Sequence, residues 1–200
     1  MAPGLSPMAD RFLDDPSAAR LLELARAAVA EAAQSGRAPS VDLPAEPGPL
    51  QQDGATFVTL RTRGLPDAQS LRGCIGSVQP SRPLALDVVQ NAAAAALRDP
   101  RFPPVGPAEV AALDVSVSVL SPFTRVPAED DAAFLAALRP GVDGLLIRDG
   151  GRRGVFLPQV WEQLPTPEAF LGALRRKAGL APGERTSAFQ AWRFTVQHVP

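Results

Sequence analysis

The only cysteine of this 200-residue chain stands in Leu71-Arg72-Gly73-Cys74-Ile75-Gly76, between two glycines and close to an arginine. Three chemistries fit that stretch. A thiol presented at a tight turn near a cation can act as a nucleophile. Glycine N–H groups can form a nest for an anion, with Arg72 as the charged partner. Or the small residues occupy places where larger ones would clash. A second segment, Asp99-Pro100-Arg101-Phe102-Pro103-Pro104, carries one acid, one base and one ring on a stretch stiffened by three prolines. Asp99 and Arg101 either join Arg72 around an anion or cap a helix and pair with one another.

The nucleophilic reading makes Cys74 the catalytic residue, and it lacks a nearby base unless His198, the sole histidine, folds back from the far end of the chain. The binding reading assigns ligand contacts to Arg72, Gly73, Gly76, Asp99 and Arg101. Gly73 and Gly76 equally suit a β-bulge with no ligand at all. One cysteine and one histidine exclude an internal disulfide and leave no zinc set, so neither a metal nor a cofactor is expected.

The six basic residues Arg148, Arg152, Arg153, Arg175, Arg176 and Lys177 could form a nucleic-acid surface. A net charge of −1, a pI near 5.9 and sparse aromatics around them predict a solvated face instead, so nucleic acid is not an expected partner. Lys177 is the single lysine, which, with abundant alanine and 22 prolines, reads as coding bias. The stretch 92–97 is too short to span a bilayer and is flanked by Asn91 and Arg98, and residues 1–10 lack a basic start and an apolar run. A cytoplasmic protein with no membrane partner is therefore expected.

The elements that must position these residues are legible in order. Residues 1–14 read as a tail. A helix follows with Asp15 as cap, Pro16 at its start and Gly36 at its close, and with Leu21, Leu22, Ala25, Ala28, Val29 and Ala32 on one face. Residues 37–53, with four prolines, read as an extended wrap over the surface. Thr56–Thr62 and 71–78 read as strands joined by Gly64-Leu65-Pro66-Asp67. Pro83 opens an alanine-rich helix to about Arg98 that must approach its neighbours closely. Residues 107–112 form a short helix, and 113–120 alternate strictly, with Leu113, Val115, Val117 and Val119 on one side. A helix over 128–138, a hairpin turning at Asp149-Gly150-Gly151, a helix over 167–178 closed by Gly179, and a final strand over 192–199 complete the reading. Phe156, Val160 and Trp161 read as core.

Helices and strands mix without regular alternation, and one hairpin is explicit. The expected class is α+β, an antiparallel sheet packed with helices. The cysteine motif, the 99–104 segment, Val117-Ser118-Val119-Leu120-Ser121-Pro122, the run from Gly150 to Trp161 and Lys177-Ala178-Gly179-Leu180 together resemble the AMMECR domain family, in the same order. The resemblance spans about residues 17–195. It implies a large lobe and a smaller lobe interlocked as a single domain over residues 15–200.

Bacterial and archaeal members are called AmmeMemoRadiSam system protein A, so the resemblance further implies a Memo-like protein and a radical S-adenosylmethionine protein as partners. It also marks the cysteine motif as the usual candidate site. Phe123 stands where a second proline is common in the family, and Arg175 where some members carry another cysteine. The expected function is an accessory protein binding a small anionic ligand or a partner. An enzyme with a Cys74 nucleophile and a nucleic-acid binder are the alternatives.

Overall fold

A computed structural model describes residues 12–127, 131–181, 184 and 186–200. Helix α1 spans Asp15–Ser35. Its N-cap is Asp14 rather than Asp15: the Asp14 carboxylate accepts the Ser17 N–H at 2.9 Å, and Pro16 sits in the first turn. Gly36 ends it at φ 74°, a left-handed conformation glycine adopts without penalty, and returns its N–H to the Ala32 carbonyl. Residues 12–14 do not belong to a tail. Leu13 is buried, and Gln197 accepts the Phe12 and Leu13 N–H groups while donating to the Leu13 carbonyl.

The proline-rich stretch after α1 is less extended than its composition predicts. It contains a 3₁₀ turn at Leu43–Ala45 and a one-turn helix α2, Gly48–Gln51, whose Leu50 is fully buried. Buried Glu46 fastens it to α1 through a forked pair with Arg20, both contacts at 2.8 Å. Strand β1 (Thr56–Thr62), the short helix α3 (Asp67–Ser70), β2 (Leu71–Gly76) and α4 (Leu84–Leu97) follow. A 3₁₀ turn at Pro107–Ala112 then leads into β3, Leu113–Leu120.

Beyond β3 come β4 (Thr124–Val126), α5 (Asp131–Ala136), β5 (Gly144–Asp149) and β6 (Arg152–Phe156). A 3₁₀ turn at Pro158–Glu162, α6 (Pro167–Lys177), β7 (Gln190–Phe194) and β8 (Val196–Val199) close the chain. The first part of the helix expected over 128–138, residues 128–130, lies outside the described residues.

Two compact units result: residues 12–120 with 197–200, and residues 121–196. The first holds a sheet in the order β2-β1-β3-β8. β1 pairs antiparallel with both neighbours, aligning Thr59 with Cys74 on one side and Ser116 on the other. Val58, Leu60, Val115 and Val117 form one face and pack with Leu21, Ala25, Val29, Val88 and Ala92 of α1 and α4 into a single core. Each fully buried Leu or Val there contributes about 1.5–3 kcal/mol.

The second unit holds the sheet β4-β7-β5-β6, also antiparallel. Its core includes Phe134, Leu145, Ile147, Phe170 and Leu174, and the Trp161 ring stacks on Phe170 at 3.9 Å, so the residues read as core do pack there. Helices with two antiparallel sheets make this an α+β protein.

Three strand readings change, the first being that β2 ends at Gly76 rather than at residue 78. The hairpin turns on Gly150-Gly151, because Asp149 and Arg152 are still paired and only Gly150, at φ 61°, is left-handed. Asp149 is buried and accepts both the N–H and the hydroxyl of Thr186. The strand expected over 192–199 is two strands in two sheets, divided at Thr195. There the Thr195 N–H donates to Ser121 Oγ and the Ser121 N–H to the Thr195 carbonyl, both at 2.9 Å.

Candidate functional site

Cys74 lies on β2, an outer strand of the first sheet. The pairing slips between Leu60↔Gly73 and Arg61↔Leu71, which leaves Arg72 as the extra residue of a bulge. The bulge turns the Arg72 side chain toward the 99–104 segment. Its guanidinium donates to both Glu109 carboxylate oxygens (3.0 and 3.2 Å) and to the Pro103 carbonyl (2.9 Å). The Arg72 guanidinium, with help from the Gly106 N–H, holds the Glu109 carboxyl below its ordinary range. Arg72 thus clamps the proline segment, and its hydrogen bonds go to protein groups.

The glycines have packing reasons. A Cβ on Gly73 would lie 2.3 Å from the Ala95 carbonyl oxygen of α4, and one on Gly76 would lie 2.3 Å from the Phe57 ring. Neither glycine has a positive φ. The close approach expected of the alanine-rich helix is therefore made against β2, at Gly73.

Asp99, just beyond α4, is 4% exposed, and its carboxylate is fully engaged. Oδ2 accepts the Cys74 N–H at 2.8 Å and Arg101 Nη2 at 2.6 Å, while Oδ1 accepts the Arg101 N–H and Nε. Arg101 Nη2 also reaches the Cys74 carbonyl at 3.3 Å. An acid and a guanidinium together replace the donor and acceptor of a missing neighbour strand, satisfying the open edge of β2 at Cys74. Arg101, and then the N–H groups of Cys74 and Arg101, hold the Asp99 carboxyl far below the usual carboxylate range against the opposing effect of burial. Asp99 and Arg101 also raise and lower each other as a pair, with Arg101 shifted upward.

Phe102 lies near both arginines, 5.5 Å from the Arg101 guanidinium carbon and 6.0 Å from that of Arg72. Arg101 Nη1 makes no hydrogen bond among the described residues, and the side chain is 52% exposed. It is the donor of this cluster left open to an outside acceptor.

The Cys74 thiol is half-buried, with Thr59 Oγ1 at 3.3 Å from Sγ. Thr59, Cys74 and Ser116 share the face turned away from Val58 and Leu60. His198 is exposed on β8, three strand spacings or roughly 14 Å from β2. The fold does not bring it back to the thiol, and no base replaces it among the thiol's hydrogen-bond partners.

Three of the six basic residues, Arg152, Arg175 and Lys177, have partners within the protein. Arg152 donates to Glu184 and the Gly179 carbonyl, Arg175 is buried over the Phe189 ring, and Lys177 reaches the Val155 carbonyl above Phe156. Arg148 and Arg153 stand opposite each other in the hairpin.

One polar cluster escapes a search for chemical motifs. Asp87, fully buried on α4, accepts from the Thr56 N–H and hydroxyl, the Ser77 hydroxyl, Arg82 Nε and Asn91 Nδ2. Arg82 in turn donates to Gln90. Asp87 and Asn91, four residues apart on a helix made mostly of alanine, leucine and valine, are the signal that could have found it. Its bonds join α4 to Thr56 of β1 and to Ser77 just past the end of β2, which makes it a positioning element. Among the described residues no group of three or more His, Cys, Asp or Glu is placed to hold a metal, and no helix is long and apolar enough to cross a membrane.

The chain is thus an α+β protein whose Gly-Cys-Ile-Gly edge strand is sealed by the Asp99 and Arg101 pair. The AMMECR1 family model matches residues 22–199, and the chain belongs to that family. A protein of Methanothermobacter thermautotrophicus is 39% identical over 81% of this chain and 82% of its own length. One of Thermotoga maritima is 40% identical over 74% and 78%. The crystal structure of an uncharacterized protein from Pyrococcus horikoshii matches with a TM-score of 0.79 at 33% identity, covering 93% of this chain and 92% of that one.

Proposed function

We propose that the chain is a binding protein of the AmmeMemoRadiSam system, an accessory component acting in the cytoplasm. It receives an anionic group, carried by a small ligand or by a partner, at Arg101 Nη1 beside Cys74. The observation that carries this reading is the disposition of hydrogen bonds: Asp99 is spent on the backbone of Cys74, the thiol faces a hydroxyl rather than a base, and one nitrogen of Arg101 stays open. The partners are a Memo-like protein and a radical S-adenosylmethionine protein. The second reading, covalent catalysis by Cys74, draws on the half-buried thiol and on the Arg101 guanidinium lying against the same residue's carbonyl.

Surface-immobilised chain titrated with each purified partner tests the proposal. Arg101→Lys keeps a cation for Asp99 but lacks the second nitrogen, and should weaken binding about tenfold. Cys74→Ser should bind within about threefold of the parent, as a nearly isosteric change at a half-buried site. Binding untouched by Arg101→Lys, or no binding by either partner, would overturn the reading.

A further inference from the structure

We propose that a cleft on the helix side of the first unit binds a small monocarboxylate with a short apolar tail. The cleft, about 360 Å³, opens between α1, the 3₁₀ turn before β3 and the start of β3 itself. That volume lies within the range of roughly 300–1,000 Å³ common to small-molecule pockets. Its walls include Val29, Leu113 and Val115, which belong to the core and are nearly closed to solvent.

Three charges stand at its mouth: Arg26, Arg63 and Asp114. Arg63 is already committed. Its Nε donates to Asp114 Oδ1 at 2.9 Å, and its two terminal nitrogens reach the Ala111 and Leu113 carbonyls at 3.4 Å. Arg26 has neither a hydrogen bond nor an ion pair among the described residues. With Arg63 and Asp114 cancelling, the site carries one uncompensated positive charge on a planar fork over an apolar wall. A carboxylate fits that fork in two parallel hydrogen bonds, and its own apolar tail leaves water by lying in the cleft against Val110 and Ala111, the lining residues that the core leaves partly open. A phosphate dianion fits poorly, because Asp114 repels its second charge. The cleft lies on the α1 side of the sheet, so it uses none of the groups around Cys74, and its occupancy does not depend on the function proposed for them.

The test is an amide-resolved NMR titration of the full chain with hexanoate, hexan-1-ol and inorganic phosphate. Hexanoate should give saturable shifts at Arg63, Leu113 and Val115, and should bind about tenfold more tightly than hexan-1-ol or phosphate. Arg26→Ala, on an exposed helix position where alanine is well tolerated, should keep the parent's melting temperature and reduce hexanoate to the affinity of hexan-1-ol. Three results would overturn the proposal: no saturable shift at these residues, hexan-1-ol or phosphate binding as tightly as hexanoate, or Arg26→Ala leaving hexanoate binding unchanged.

Discussion

The backbone N–H of Cys74 donates to Asp99 Oδ2 at 2.8 Å, so a side chain 25 residues downstream finishes the edge of the strand that carries the thiol. Any change at Asp99 therefore reaches Cys74 through its main chain.

Asp99→Asn should cost about 1.5–3 kcal/mol at neutral pH, since it weakens charge-assisted bonds at a buried position. The folded carboxyl titrates below its unfolded value of about 3.9, so its contribution is present above that pH and is lost as the pH falls toward the folded value. The melting-temperature gap between parent and Asp99→Asn should accordingly be widest above about pH 5 and narrow steadily below about pH 4. A gap of constant size across that window would show that Asp99 is not the group responsible.

Gly73→Ala should be more damaging than Gly36→Ala. The first drives a methyl into the Ala95 carbonyl, which belongs to a packed helix backbone, and should cost about 3 kcal/mol or more. At Gly36 nothing lies within 4 Å of the added Cβ, and the cost is the roughly 1 kcal/mol of forcing alanine into a left-handed conformation. Urea unfolding of the two variants decides the order.

Asp87→Ala leaves several buried donors without an acceptor, together with part of the Arg82 guanidinium, and should destabilise by about 3–5 kcal/mol. Hydrogen exchange should rise first at Thr56 and at the end of β2, where the lost bonds were made. Exchange that rises instead across the second unit alone would contradict this account.

Cys74→Ser should fold with a modest loss of stability, and the native thiol should alkylate no faster than free cysteine below neutral pH. Rapid alkylation of the folded protein at pH 6, with turnover abolished in the serine variant, would move the nucleophilic reading to first place.

Fluorescence anisotropy with labelled single-stranded DNA or RNA should show weak binding at physiological salt, because Arg152 and Lys177 are engaged internally and Arg175 is buried. Sub-micromolar affinity with a steep salt dependence, removed by changing Arg152 and Arg153, would restore a nucleic-acid role.

Elements governed by near neighbours were legible in the chain. Pro16, Gly36 and the apolar stripe of α1 set that helix, and alternation from Leu113 to Val119 set β3, because both signals arise within a few residues. The cap moved by one residue to Asp14, and the hairpin turn by one to Gly150, shifts small enough to leave the elements intact. The ordered motifs also carried the family, since their resemblance to it lies in short stretches read directly from the chain, and the family model matches residues 22–199.

The candidate site was only half legible. Sequence singled out Arg72, Gly73, Cys74, Gly76, Asp99 and Arg101, but not which of them would be consumed by one another. That was decided when the bulge at Arg72 aimed its side chain at Glu109 and Pro103, and when α4 delivered Asp99 to the open edge of β2. The same holds for the last strand. The alternation from Trp192 to Val199 runs on without a mark, yet Thr195 divides it between two sheets. A period of two residues fixes which side chains share a face; the sheet a strand joins depends on hydrogen-bond partners such as Ser121, 74 residues away, which only the folded chain brings within reach.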